Sequence, residues 1–213
     1  MPTVSKWSNV AVAIQSALAS AVTIVGITNA SPGVVEATSH GLSTGDFVKL
    51  SVQGMYQVDA RVFRVTVSDS SHFSLDGENT TAYGAFSSGS LEKVTFGTTM
   101  TTATGLTAAG GDFDFIDITT IHDSVRKQIP GLASAATYTF ENIWDSADSA
   151  LAALKQAADN QAQRCIKFTF ASGAIVVFNG YVGATLLPTG NAQDKVTTSV
   201  VITMFGRPTI YAS

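Results

Sequence analysis

Few residues of this 213-residue chain have the types and spacing that catalysis or metal binding requires. His40, His72 and His122 are its only histidines, and they sit in separate segments with no His-x-x-x-His or Cys-rich spacing of the kind metal sites use. Asp112, Asp114 and Asp117 form the densest acidic group. On a strand, residues i and i+2 share a face, so the first two carboxylates could face one cation together. The run lacks the mid-loop Gly and distal Glu of a calcium loop, and it reads as solvated acids. Cys165 is the single cysteine, which rules out an intramolecular disulfide. It opens an apolar segment and is expected to be a small buried hydrophobe, with Arg164 and Lys167 the only hint of thiolate activation. No G-x-S-x-G, Walker or dinucleotide fingerprint occurs. No catalytic, cofactor-binding or metal residue is assigned, no cofactor is expected, and the chain does not read as an enzyme.

Composition directs attention to the surface instead. Hydrophobic residues make up 45% of the chain and charged residues 13%, about half the charged share of an average globular domain. Ser, Thr, Ala and Gly take the place of the usual Lys, Glu, Asp and Arg. Two readings fit: an exported β protein with a hydroxyl-rich surface, or a chain whose surface is covered by further copies in its working state. Net charge is −4 with no basic run, so a nucleic-acid grip is disfavoured. Residues 10–21 end in S-A-L-A-S-A, similar to a signal cleavage site. Lys6 is the sole charge before them and Gln15 and Ser16 interrupt the apolar run, so cleavage is not expected. No stretch reaches the length of a membrane span, and no membrane anchor is expected.

The elements that would position these residues are mostly strands. Residues 1–21 suggest an extended start and a short helix capped by Ser8 or Asn9. Trp7, costly to leave wet, is expected to anchor this arm to the body or to a neighbouring copy. Residues 22–91 read as short strands at roughly ten-residue spacing, near 23–28, 34–37, 47–52, 61–67 and 72–75. Residues 77–90 are Gly/Ser-rich and read as a linker. Strands follow at 93–103, 112–119 and 136–143, separated by a Gly-rich stretch at 104–111 and an aperiodic loop at 120–132. The apolar residues of that loop argue for function rather than disorder. Ala147, Ala150, Leu151, Leu154, Ala157 and Ala158 form one stripe of a helix spanning about 146–162, capped by Asp145 or Ser146.

The stretch 164–208 ties the rest together. Ile166, Phe168 and Phe170 alternate with Lys167 and Thr169 as in a half-buried strand. Ala171-Ser172-Gly173 supplies a turn, residues 174–182 a second strand, and residues 195–205 a third. Val196, Thr198, Val200, Ile202 and Met204 lie on one face of that third strand, and Gly206 and Pro208 end it.

As a set, I-x-F, a Gly-containing turn, F-x-G-x-V, a long loop and a strand closing on G-R-P resemble the C-terminal half of major tail tube proteins of long-tailed, non-contractile bacteriophages. Residues 115–132, ending in Q-I-P-G-L, are similar to that family's long inter-strand loop. The pattern V-x-I-x-G-I-T…H-G-L-x-x-G-D-x-V…F-x-V…F-x-L within 22–91 is similar to a small β module of other phage structural proteins. The implied fold is mainly β, formally α+β: a tail-tube-type β-sandwich or barrel from residues 1–21 and 92–213 with one packed helix. Residues 22–91 would be an inserted small β-barrel-like domain with a Gly/Ser-rich return linker.

The resemblance implies a structural virion protein. Copies would form homohexameric rings stacked into a tail tube, a conduit through which DNA passes without specific binding. Partners would be further copies and other tail proteins (tape measure, tail terminator, distal tail initiator), and the tail would assemble in the host bacterial cytoplasm. Trp7, Ile121, Val125, Arg126, Ile129, Pro130 and Leu132 are candidate inter-ring contacts. Val196, Thr198, Val200 and Ile202 mark the candidate tube-wall strand. The alternatives are a β-rich adhesion or decoration module of a phage particle, and the inner-tube protein of a contractile injection device.

Overall fold

The computed structural model describes residues 7–212. The fold is mainly β with one short helix, as expected. The first strand, β1 (Ala11–Leu18), stands where the sequence suggested a capped helix. Val12 and Ile14 are buried on one face, and the strand is hydrogen-bonded along both edges, to residues 94–100 and to residues 166–169. Two ladders outweigh the helix propensity of its alanines. Asn9 adopts φ 60°, so it turns the chain into this strand rather than capping a helix.

Short strands follow: β2 (Val22–Ile24), β3 (Gly26–Ile27), β4 (Val34–Glu36), β5 (Phe47–Gln53), β6 (Val62–Val67) and β7 (His72–Leu75). Their inward residues, including Val35, Val48, Leu50, Phe63, Val65, Phe73 and Leu75, are fully buried and form a core of their own with Met55 and Leu91. The stretch read as a linker is pinned in place. Thr80 is buried, donates from its hydroxyl to the Thr28 carbonyl at 2.7 Å, and accepts from the Ala30 amide at 3.0 Å.

The long β8 (Ser88–Met100) pairs through residues 88–94 with β5 and through residues 94–100 with β1. It therefore belongs to both halves of the molecule. The Gly-rich stretch after it is a strand, β9 (Ala103–Ala109), ended by Gly110 and Gly111 at positive φ. Next come β10 (Phe113–Asp117) and β11 (Gln128–Ala133), which pair only with each other in a separate two-stranded ribbon. The loop expected at 120–132 is thus half strand. Its pairing is set by Ile116 opposite Ile129 and Phe115 opposite Pro130, partners that local periodicity does not reveal.

The chain returns as β12 (Thr137–Ile143), then α1 (Ser149–Asp159), β13 (Gln163–Thr169), β14 (Ile175–Gly183), β15 (Thr197–Met204) and β16 (Thr209–Tyr211). The main sheet runs β8-β1-β13-β14-β15-β12-β9, entirely antiparallel. The helix is shorter than expected and its cap is Asp148, whose Oδ1 accepts from Ala150 and Leu151 amides at 2.7 and 2.9 Å. Asp145 caps only a preceding turn, through Ala147 N. Ala150, Leu151, Leu154 and Ala157 bury the predicted stripe against Ile14, Phe168, Phe178 and Ile202.

Two glycines explain motifs in the last strands. A Cβ on Gly180 would lie 2.6 Å from the Thr203 carbonyl oxygen, so the F-N-G-Y run lets β14 and β15 approach. Gly206, at φ 93°, ends β15 with its Cα against the Ala60 carbonyl, which a Cβ would meet at 2.9 Å.

A third apolar cluster joins the halves: Phe47, Val62, Val94, Cys165, Val177 and Tyr211. Cys165 is fully buried there, as expected, and burial pushes its thiol up to about 12. Polar bonds reinforce the joint. Arg61 and Glu78 form a buried ion pair, Tyr83 donates to Glu78 at 2.7 Å, and the Arg64 amide donates to the Tyr211 hydroxyl at 2.7 Å.

Two outcomes follow from these cores. Leu154→Ala, which empties a fully buried position under the sheet, is expected to cost roughly 2–5 kcal/mol in urea unfolding. The second concerns pH. The folded thiol holds its proton up to about 12, while the unfolded thiol loses it near its ordinary range of about 8.5. Above that range the unfolded chain binds fewer protons, so stability present at neutral pH is lost as pH rises. Unfolding free energy should fall by about 2 kcal/mol from this thiol between about pH 8 and about pH 10.5. Cys165→Ala should lose that share of the pH dependence.

Candidate functional site

The residues that could carry chemistry do not converge. Among the described residues no group of three or more His, Cys, Asp or Glu could hold a metal. His40 is a structural residue. Its Nδ1 accepts from the Leu42 amide at 3.0 Å, which leaves Nε2, 3.0 Å from the Asp69 carbonyl, as the donor. His72 is paired with Asp69 on an exposed turn at 3.0 Å. Asp112 and Asp114 are exposed, and Asp117 holds the hairpin turn, accepting from the Thr119 amide at 2.8 Å; the Thr119 hydroxyl first, and then this amide, lower its pKa. Cys165 is shielded from any reagent by the joint between the two halves.

What the fold does expose is apolar surface, concentrated on one element. The ribbon β10–β11 carries Phe113, Phe115, Ile116, Ile118, Ile129 and Leu132 exposed, and its connecting turn adds Ile121 at 96% exposure and Val125 at 70%. Of the expected contact residues, Ile121, Val125, Arg126, Ile129, Pro130 and Leu132 all lie on this ribbon and are all exposed. Trp7 lies apart from it. Its ring stands 6.2 Å edge-on to Phe168 and 5.4 Å from Phe170, holding the arm to the body.

The ribbon's tip is ordered by its own bonds. Asp123 accepts from the Thr120 amide at 2.9 Å and hydroxyl at 3.0 Å, and it pairs with Lys127. Those contacts, Lys127 first, hold the Asp123 carboxyl below its ordinary range. The Ile118 amide donates to the Lys127 carbonyl and the Lys127 amide to the Thr119 hydroxyl, both at 3.0 Å. A ribbon of two strands has no core, and such a unit is marginal in water without something packed on it. Here both faces are apolar and exposed.

The expected wall strand, β15, shows two faces. Thr198, Val200 and Ile202 are buried in the main core, and only Val196, just before the strand, is exposed. The strand's outward residues are Thr197, Ser199, Val201 and Thr203. Across the ladder they align with Thr137, Thr139, Glu141 and Ile143 of β12, then with Gly105, Thr107 and Ala109 of β9, and on the other side with Tyr181 and Gly183 of β14. Hydroxyl groups dominate this surface, and Glu141 is its one charged residue. Alternation from buried to outward residues is visible in the sequence; which of the two faces meets the helix is not.

One edge of the main sheet is uncovered. β9 has a single ladder partner, β12, among the described residues. Its other side borders a cleft of about 260 Å³ lined by Trp7, Val10, Val12, Leu106 and Phe140. No helix of the described residues is long and apolar enough to cross a membrane.

Exposed strand edge, uncovered apolar ribbon and plain hydroxyl face describe a protein that works by binding copies of itself or other proteins. Comparison with known proteins agrees. The family model described as phage tail tube protein, TTP, matches residues 53–213, well over half of the chain. No curated protein matches the chain. With that match added to the architecture, the chain belongs to the phage tail tube protein family, a structural component of the virion tail.

Proposed function

We propose that this chain is the repeating subunit of a tail tube, in which copies close into hexameric rings and the rings stack around a channel that DNA passes through. The observation that carries the reading is the ribbon β10–β11, which has its own rigid turn but nothing packed on its two apolar faces. Burying one fully exposed Ile, Val, Leu or Phe side chain is worth about 1.5–3 kcal/mol. Several such side chains per copy give stacked rings a driving force that a free subunit leaves unused. Trp7, Ile121, Val125, Arg126, Ile129, Pro130 and Leu132 make those inter-ring contacts in this reading.

The hydroxyl face of β9, β12, β15 and β14 lines the channel. A wall for sliding DNA must not hold phosphates, and a Lys- or Arg-studded surface would. Thr, Ser, Gly and a single Glu141 meet that requirement. Within a ring, the uncovered edge of β9 pairs with the neighbouring copy, which removes the edge as an aggregation hazard. Residues 22–91 form the inserted domain and project outward, since six short strands placed inward on each copy would obstruct a channel. Tape measure, tail terminator and distal initiator proteins contact the tube, which assembles in the host cytoplasm.

Electron microscopy of the purified chain at rising concentration tests this. Hollow tubes with six-fold end views are expected, and a compact trimer with no tendency to polymerise would overturn the reading. A chain lacking residues 124–130 should keep its circular dichroism and thermal transition but form no tubes. Normal tubes from that variant would sink the role given to the ribbon.

A further inference from the structure

Resting on the reading that the ribbon joins successive rings, we infer that its receptor on the next copy is the surface formed by Ile143, Trp144, Leu187 and Val196. The ribbon leaves the body between the end of β9 and the start of β12, beside Ala109 and Thr137. The four receptor residues lie at the other end of the same strands. Ile143 ends β12, Val196 precedes β15, and Leu187 lies on the connection beside them. Donor and receptor thus occupy opposite ends of one subunit. Such a contact is heterologous and does not close on itself, so it repeats along an axis.

The receptor surface is apolar and held rigid. Trp144 and Leu187 are exposed, as are Ile143 and Val196. The Trp144 indole donates to the Leu186 carbonyl at 3.1 Å, and its amide donates to the Val196 carbonyl at 2.9 Å. A two-way bridge between Thr189 and Thr197, 2.8 Å in each direction, fixes the connection. Ordering has therefore been completed before docking, which leaves more of the contact energy for association. Beside it opens a cleft of about 480 Å³ lined by Glu141, Leu187, Lys195 and Ser199 among others.

Charge selects the ribbon as the occupant. At its turn Asp123 is tucked in against Lys127, with side-chain exposures of 15% and 59%. Asp117, 43% exposed, faces Arg126, 81% exposed, at 3.6 Å. The most exposed charge of these two pairs is therefore the Arg126 guanidinium, next in sequence to Val125. The receptor end carries Asp145 and Asp194 exposed and Asp148 partly exposed, with Lys195 the cation beside them. An apolar centre flanked by acids on one end fits an apolar centre whose most exposed charge is the Arg126 guanidinium on the other.

Cross-linking between full-length chains tests the assignment. A Val125→Cys chain and a Leu187→Cys chain are mixed at the concentration used for tube formation and oxidised with copper phenanthroline. Cys165 is buried with its thiol pushed up to about 12, so it stays silent in this assay. A mixed disulfide dimer that exceeds the homodimers of either chain at least several-fold is expected, and Arg126→Glu in the first chain should reduce it. If no mixed dimer exceeds the homodimers, with or without tubes, the receptor assignment is overturned. The two readings separate cleanly. Tubes that need residues 124–130 but yield no mixed dimer discard the receptor alone, and tubes that form without those residues discard the ribbon's role as well.

Discussion

Everything else in this fold depends on one strand being shared. β8 gives one end to the small β unit, where Leu91 enters its core, and the other to the main sheet, where Met100 packs under the helix. A backbone strand in the middle of a sheet must satisfy donors and acceptors along both edges. β8 is paired on both edges in its first half, by β5 on one and β2 on the other, and its second half pairs with β1. The two halves consequently cannot shift register independently. The cluster around Phe47, Cys165 and Tyr211 then fills the angle between them, and the buried Arg61–Glu78 pair is hydrogen-bonded to Tyr83, the Gln57 carbonyl and Thr209, with Arg61 Nε left without a partner among the described residues. Removing one partner of such a pair would leave a buried charge, which costs more than the pair itself contributes.

With the body secured this way, the ribbon is free for the assembly role proposed above. Its apolar residues are not needed for the core, which is complete without them. Its tip is stabilised locally by Asp117, Thr119, Thr120 and Asp123 rather than by contact with the body. A subunit built so can be stable alone and still carry a large unspent contact surface. The low charge content has the same origin. In the proposed tube, a surface given to ladders, stacking and a phosphate-indifferent channel has little use for Lys and Arg, and several of the cations that remain are paired: Lys49 with Glu92, Arg64 with Asp76, Lys93 with Asp46.

The same economy accounts for the chemistry the chain does not gather. Cys165 and His40 are ordinary core and turn residues, each explained by packing and two hydrogen bonds or fewer. The acids of the ribbon hold turns. None of these groups lines the two clefts described above, whose walls carry aromatic and aliphatic side chains, hydroxyls, and the charged Glu141 and Lys195.

Sequence alone determined the strand-rich class, the position of the helix stripe, the hairpin and third strand at the C-terminal end and the burial of Cys165. These rest on local signals: alternation, turn residues and composition. Tertiary structure decided the rest. β1 and β9 are strands because partners distant in the chain hydrogen-bond to them, and their own Ala, Gly and Thr residues favour no single state. β11 pairs with β10 through Ile129 and Pro130, where no periodicity marks it. Asp148 rather than Asp145 caps α1, because the core fixes where Leu151 and Leu154 must point. On β15, alternation announced two faces, but only the packing of α1 made Val200 and Ile202 interior and left Thr197, Ser199 and Thr203 outward. A strand's periodicity is symmetric between its faces, and it takes the rest of the fold to break that symmetry.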